Sequence, residues 1–330
     1  MVIPGRRCGS QPEIEAYPQI GSSARSPAPP RAGERPLCLL PMPRRPSPTR
    51  LRTPSTILTL ILNLTVMVSV AVAAGARTAT RTASSGSTRA TITYRVSHSN
   101  PASLYSRMHL TITRAGRPVL DRPVRAVLCG SGCWPELIKG NPVLAVIDLE
   151  GGAGPDVVLN LYSGGAHCCS ITQVYRYDPG TRTYAVVQHD FGDPGARIET
   201  LGGGPVFLSA DDRFAYAFAA YAFSGLPVQI WRFAGGRFVD VTRRYPALIA
   251  SDAARQWQAY LANRRQGFGL GAIAAWAADE YLLGMGAHAR ATLGAQAAAG
   301  ELRSSDGFTP HGSTFVHHLE RFLTAKGYGG

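Results

Sequence analysis

Three carboxylates, Asp148, Glu150 and Asp156, stand within nine residues in the run DLEGGAGPD. Oxygen donors converging from a tight, glycine-bearing loop are what a hard cation such as Ca2+ seeks; the competing reading is a solvated acidic turn between two strands. Just beyond, His167 precedes the adjacent pair Cys168-Cys169, and an earlier pair, Cys129 and Cys133, is spaced C-G-S-G-C. Four sulfurs and an imidazole could supply a zinc site, a cysteine nucleophile with its base, or two disulfides. Zinc ligands usually come in pairs two to four residues apart, and adjacent cysteines make an awkward half of a tetrahedron. An oxidised sulfur is no nucleophile. Disulfides are therefore expected at Cys129, Cys133, Cys168 and Cys169, and bridges between the two clusters are favoured because a longer closed loop removes more unfolded-state entropy.

A secreted hydrolase would draw on the same residues, Asp148, Glu150, Asp156 and His167. A glycosidase-like carboxylate pair needs a separation of about 5 to 9.5 Å across a cleft, which sequence spacing does not reveal. There is no H-E-x-x-H, G-x-S-x-G or P-loop motif, and Gly267, Gly269 and Gly271 do not follow a strand as a dinucleotide fingerprint would. His317-His318 and Asp279-Glu280 read as solvated helix faces. Tyr162, Tyr175 and Trp231 are either core residues of strands or exposed aromatics for a glycan or peptide.

The elements that carry these residues are mostly short strands bounded by Gly, Pro, Asn or Asp. They are expected at Ala90–Val96, Met108–Arg114, Pro142–Asp148, Asp156–Tyr162, Ile171–Tyr177, Thr183–Gln188, Pro205–Ser209, Phe214–Phe223, Val228–Phe233 and Arg237–Thr242. Asp178-Pro179-Gly180 and Gly235-Gly236 mark hairpins. After Pro246 the period becomes helical. Ser251 or Asp252 would cap one helix that Gly267 stops, a second runs from Ala272 towards Gly284 and Gly286, and a third covers Ser313–Lys326. In the third, Phe315, Leu319, Phe322 and Leu323 form an apolar stripe that should pack on the sheets.

Upstream the texture differs. Residues 1–55 hold twelve of the 24 prolines, with arginine and serine between them, a composition too poor in apolar side chains to collapse. Residues 56–76, TILTLILNLTVMVSVAVAAGA, are uncharged, follow Arg44, Arg45, Arg50 and Arg52, and end in small residues. That is the order of a secretory signal, with an uncleaved anchor as the competing reading. Basic residues on the N-terminal side place Arg77 onward outside the membrane in either case. Met42 is a credible initiator, leaving residues 1–41 upstream of the true start. Residues 77–89 read as a linker, 90–245 as a β-rich repeat domain and 246–330 as a helical region.

The formal charge of +13 is concentrated in the N-terminal region: from Arg77 onward 25 basic residues face 18 acidic ones, a balance of +7. Only Lys139 and Lys326 are lysines, and no dense basic run follows Arg77, so no nucleic-acid partner is expected.

A repeat organises the β region. Q-V-Y-R-Y at Gln173–Tyr177 returns as Q-I-W-R-F at Gln229–Phe233. Each copy follows an aromatic-Ser-Gly step, Tyr162-Ser163-Gly164 or Phe223-Ser224-Gly225, and begins at a Pro-Val strand, Pro142 or Pro205. A fainter relation joins Ile112–Asp121 to Ile230–Asp240 as a third, partial copy. Units of this length with an acidic turn after the first strand resemble FG-GAP or VCBS-type repeats, the blades of integrin-like β-propellers. The resemblance covers about residues 142–245. It implies a calcium loop at Asp148, Glu150 and Asp156, although Gly152 and Ala153 replace the family's central acid and glycine and the second copy keeps only Asp211 and Asp212. Two or three copies fall short of a closed propeller. The expected fold is mainly β with an α-helical C-terminal region: four-stranded units in an incomplete propeller or open sheet assembly, capped by about three helices.

The expected function is an exported, disulfide-stapled, non-enzymatic binding or interaction module of the cell envelope or extracellular space. Its expected partner is an envelope glycan or protein, with no cofactor other than Ca2+ at the acidic loop and no membrane contact beyond an uncleaved N-terminal segment. A secreted hydrolase and a purely structural envelope protein are the alternatives.

Overall fold

The structure, a computed structural model, describes residues 77–97, 105–129, 132–135, 142–152, 154–307 and 309–329. They lie in one compact unit, Ala73–Gly330. The expectations for residues 1–55 and 56–76, and for a start at Met42, fall outside the described residues.

The sheet at the centre is built on two strands whose side chains are buried on both faces, largely apolar on one and mixed with Asp156, Asn160, Ser170 and Thr172 on the other. In β7 (Asp156–Tyr162) all but the last residue are buried, and in β8 (Ser170–Asp178) the run from Ser170 to Tyr175 is. The strands run antiparallel with Val157 opposite Tyr175 and Leu161 opposite Ile171. β9 (Thr183–Asp190) flanks β8, and the other neighbour of β7 is split: β6 (Leu144–Ile147) pairs with its first half and β5 (Trp134–Pro135) with its last two residues. Because strand side chains alternate, Val157, Leu159, Leu161, Ile171 and Tyr175 face one way and Val158 and Val174 the other.

Each face is covered by another antiparallel meander. On one side lies the sheet β1 (Arg77–Ser85), β2 (Thr88–Val96), β3 (Tyr105–Arg114), β4 (Arg117–Pro123), which contributes Ile92, Tyr94, Leu110 and Ile112 to a shared core. On the other lies β10 (Arg197–Leu201), β11 (Gly204–Ala210), β12 (Val228–Ala234), β13 (Arg237–Asp240), contributing Phe207 and Phe233. Here His189 sits among Phe191, Trp231 and Phe238, with ring centroids 4.4, 4.5 and 4.9 Å away. Burial lowers its pKa to about 4, so it packs as a neutral aromatic ring at neutral pH. The far face of this third sheet, Val206, Ile230 and Val241, meets Tyr245 and Leu248 at the start of the helices.

The repeat in the sequence has a structural counterpart. Q-V-Y-R-Y and Q-I-W-R-F fall in β8 and β12, each the interior strand before the last hairpin of its sheet. The faint third copy is the β3–β4 hairpin. Its turn residues Ala115 and Gly116, and Gly235 and Gly236 of the β12–β13 turn, all have positive φ, the backbone that two-residue hairpins require.

Four helices follow: α1 (Pro246–Asn263), α2 (Leu270–Leu282), α3 (Gly286–Ala298) and α4 (Gly312–Ala325). The count is four where about three were expected, because the break at Gly284 and Gly286 separates two helices. α1 starts at Pro246, well before the Ser251 or Asp252 cap, since proline's fixed φ already suits a first helical position. Phe315, Leu319 and Leu323 of α4 are buried in a helical core with Phe214 and Phe218 rather than on the sheets as expected, and in the same core residues 270–280 of α2 are all buried.

Three expectations are corrected. Residues 77–89 are no linker but supply β1 and its turn. β1 is largely exposed and carries Thr, Arg and Ser, so backbone pairing with β2 holds it without an apolar alternation to announce it. Phe214–Phe223 is no strand: 3-10 turns at Asp212–Phe214 and Tyr221–Phe223 send Phe214 and Phe218 into the helical core beside Phe315 and Phe322. Asp279 and Glu280 do not lie on a solvated face, because α2 is enclosed by its neighbours. Asp279 is fully buried, its carboxylate oxygens have no hydrogen-bond partner among the described residues, and burial, then the nearby Asp252 carboxylate, push its pKa up to about 10.

The two-sided burial of β7 makes a direct prediction. Leu159→Ala should cost about 2–5 kcal/mol in denaturant unfolding, while Thr80→Ala on the exposed edge strand should change stability by no more than about 0.5 kcal/mol. Equal effects would contradict a core centred on β7 and β8.

Candidate functional site

The loop that joins β7 to β8, Ser163-Gly164-Gly165-Ala166-His167-Cys168-Cys169, is pinned at its base. Ser163 N–H donates to the Cys169 carbonyl (3.0 Å), and Cys169 N–H donates to Ser163 Oγ (2.7 Å). Tyr162 Oη donates to the Gly165 carbonyl. Behind the loop, Trp134 lies against Gly164 and its ring packs with Tyr162 and Tyr105, both at 5.7 Å. The loop is thus tied to the first two sheets, and its tip is exposed.

His167 leaves the tip and stacks on Tyr221, centroids 3.7 Å apart and planes 24° from parallel, with Tyr216 at 5.9 Å. Tyr216 is 60% exposed and has φ +59°, an unfavourable backbone for a bulky residue. It is held there by its N–H, which donates to Ser224 Oγ (3.0 Å). Beside these rings runs the turn after β9. Gly192 approaches Asp212 so closely that a Cβ would sit 2.3 Å from its Cγ, and Asp193 N–H donates to Asp212 Oδ1 (3.3 Å). The pKa values of Asp190, Asp193 and Asp212 are all raised, chiefly by burial; for Asp212 the neighbouring carboxylates add to this, and for Asp193 the adjacent His167 opposes it. The corner therefore offers exposed aromatic faces next to hydrogen-bond acceptors on a pre-set backbone.

The four cysteines are paired, but not between clusters. Cys129 bonds Cys133 and Cys168 bonds Cys169. The expectation of cross-cluster bridges is corrected by local geometry: a 3-10 turn at Val127–Cys129, continued by the Gly132 N–H to Cys129 carbonyl bond, brings the first pair to a Cα separation of 5.5 Å. The Ser163–Cys169 contacts hold the second pair within its own loop. With all four sulfurs bridged, no thiolate remains to join His167 around zinc.

The acidic loop sits at the opposite end of β7 and serves another purpose. Asp148 Oδ1 accepts from Gly151 N–H (2.7 Å). Glu150 pairs with Arg176 of β8 (2.5 Å) and accepts from Gly236 N–H in the β12–β13 turn (3.1 Å), so it staples the second sheet to the third. Asp156 lies inside β7, 4% exposed, and accepts from Leu149 N–H (3.2 Å). The three carboxylates expected to hold Ca2+ are thus turned to four different protein donors. Among the described residues no group of three or more His, Cys, Asp or Glu side chains is arranged for a metal ion, so the loop does not fit the calcium site that the FG-GAP resemblance implies. The acid of the second copy is a staple too: Asp211 binds Arg213 and accepts from Tyr328 Oη (2.8 Å) near the C-terminus.

Tyr162 and Trp231 are absorbed into aromatic packing and Tyr175 is buried, its hydroxyl donating to Gln173. His317 is exposed, whereas His318 packs on Phe218 at 5.6 Å. Sequence reasoning missed Asp193, Tyr216 and Tyr221. The available signal was the four-residue spacing of Phe214 and Phe218 after Asp211-Asp212, which suits a capped turn better than a strand.

No family model matches the chain, and no solved structure matches it. Two proteins are similar over part of their length. A probable thylakoid lumen protein of Synechocystis is 30% identical over 33% of this chain and 39% of its own. An uncharacterized protein of Sinorhizobium fredii is 30% identical over 40% of this chain and 20% of its own. The chain thus spans well under half the length of either relative. No helix among the described residues is long and apolar enough to cross a membrane.

The acidic loop can be tested through Asp156, whose pKa is pushed up to about 6, first by burial and then by Glu150 and Asp148, against the Leu149 N–H. A raised acid favours folding below its unfolded pKa near 3.8, and that contribution is lost as pH rises through about 6. Asp156→Asn should therefore leave the melting temperature nearly unchanged at pH 4 and raise it by several degrees at pH 7.5. A lower melting temperature at pH 7.5 would show that the charge is needed, as a cation site would require.

Proposed function

We propose that this chain is an exported, non-enzymatic binding module of the cell envelope or extracellular space, and that the corner of His167, Tyr216 and Tyr221 takes a saccharide. The observation that carries the reading is Tyr216: an exposed aromatic ring, on a left-handed backbone held by Ser224, beside the His167–Tyr221 stack and the acceptor Asp193. A sugar ring has a C–H face that packs on an aromatic ring and hydroxyls that donate to carboxylates, so one patch meets both needs.

Export is supported by the basic, apolar and small-residue order ending at Ala76 and by two bridges among the cysteines beyond it, since disulfides persist in oxidising compartments. The partial likeness to a thylakoid lumen protein agrees with it. Three successive antiparallel meanders stacked face to face support a kinship with propeller blades, with the helices standing where a further blade would pack. The hydrolase alternative loses support from the arrangement of its own candidates. Asp148, Glu150 and Asp156 precede or open β7 and His167 follows it, a separation of roughly 20 Å for a strand of that length.

Affinity electrophoresis in gels cast with soluble bacterial cell-wall glycan tests the binding surface. The protein should be retarded, and Tyr216→Ala and Tyr221→Ala should each weaken retention about tenfold with an unchanged melting temperature. Absence of retardation, or retardation indifferent to both substitutions, would overturn the saccharide assignment.

A further inference from the structure

Far from that corner in the chain, three helices enclose a second concavity with a different character. α1 presents the small residues Ala253 and Ala254 and then Trp257, one face of the helix by their three- and four-residue spacing. α2 presents Trp276 and Glu280, the α2–α3 connection adds Met285, and α3 adds His288. These line an open cleft of about 480 Å3, within the range of small-molecule sites, which often lie between helices and combine apolar walls with a few polar groups.

The walls are aromatic. Trp257 and Trp276 lie 5.0 Å apart with planes at 52°, and His288 meets the edge of Trp276 at 5.9 Å. Met285 is 44% exposed and is a side chain that adapts to a ligand's shape. The polar group is unusual for such a place. Glu280 is 7% exposed, and a carboxylate buried in apolar surroundings demands a partner; it has one in His288 Nδ1 at 2.7 Å. A carboxylate only accepts, so this bond takes the hydrogen of Nδ1, and Nε2 is the ring nitrogen left for a ligand.

We propose that this cleft binds a planar, mono- or bicyclic apolar molecule bearing one hydroxyl, its ring against Trp257 and Trp276 and its hydroxyl donating to His288 Nε2, with Glu280 positioning the imidazole. Small alanines on α1 leave the room, paired indoles supply flat polarizable walls, and the oriented imidazole supplies a single directional acceptor. The site stands independently of the saccharide corner, shares no residue with it and binds a different chemistry.

The test uses the full chain labelled at its four tryptophans, Trp134, Trp231, Trp257 and Trp276, titrated with 2-naphthol while the four indole N–H signals are followed by NMR. Trp257→Phe and Trp276→Phe assign their signals. The expected result is saturable shifts of the Trp257 and Trp276 signals with Trp134 and Trp231 unmoved. His288→Ala should weaken binding about tenfold, and naphthalene, which lacks the hydroxyl, should bind the native chain about as weakly as 2-naphthol binds that variant. Ala254→Leu, at the exposed rim, should abolish the shifts while preserving the dispersed spectrum that reports the fold; if that spectrum collapses, Ala254→Met makes the same test with a more yielding side chain. Absence of shifts up to the probe's solubility, uniform shifts of all four signals, or binding indifferent to both the rim substitution and His288→Ala would overturn the proposal.

Discussion

A strand pair buried on both faces must be covered by a layer on each, and β7 with β8 impose that condition on the whole β region. Val157, Leu159 and Leu161 demand a partner on one side and Val158 and Val174 on the other, so the second sheet is stable only between two more. Buried polar side chains of β7 and β8 find partners inside the protein. Thr172 donates to Asn160, Asn160 donates to the Pro142 carbonyl, and Gln173 donates to the Arg125 carbonyl. A buried polar group without such a partner costs about 1–3 kcal/mol, which makes these bonds part of the specification of register. The third sheet inherits the same problem on its outer face, and the helices answer it with Tyr245 and Leu248.

The same strand separates two kinds of loop. At the start of β7 the acidic residues hold sheets together: Glu150 reaches Arg176 and Gly236, and Asp211 does the corresponding task for Arg213 and Tyr328 in the second copy. At the end of β7 the glycine-rich loop is closed by its own cysteine pair and projects His167 towards Tyr221. The carboxylates at the first end are engaged by protein donors, and the loop at the second end adjoins the exposed ring of Tyr216.

Legibility followed whether a signal was local. β7, β8 and β9 were readable from apolar runs bounded by Asp, Ser-Gly and Asp-Pro-Gly, and the stripe of α4 from its helical spacing. β1 was not, because Thr, Arg and Ser on an edge strand are held by the ladder with β2 and bury little. The stretch from Phe214 to Phe223 misled for the opposite reason, since its alternating aromatics answer to the helical core. Asp279 and Glu280 looked like a solvated pair, although the residues before them, Leu270–Ala278, are apolar on every side of the helix, which is the pattern of a buried one. Disulfide formation was legible in an even cysteine count, whereas connectivity depended on a 3-10 turn and on Ser163, neither of which spacing encodes.

The proposed export of the chain is tied to two disulfide loops closed locally, both at the end of the central sheet where Trp134 pairs with Tyr162. Non-reducing peptide mapping of protein recovered from outside the cytoplasmic membrane tests this directly. The account predicts one peptide in which Cys168 and Cys169 resist alkylation without any partner peptide, and a second in which Cys129 is joined to Cys133. Four alkylated thiols, or a peptide linking either of the first pair to either of the second, would contradict it.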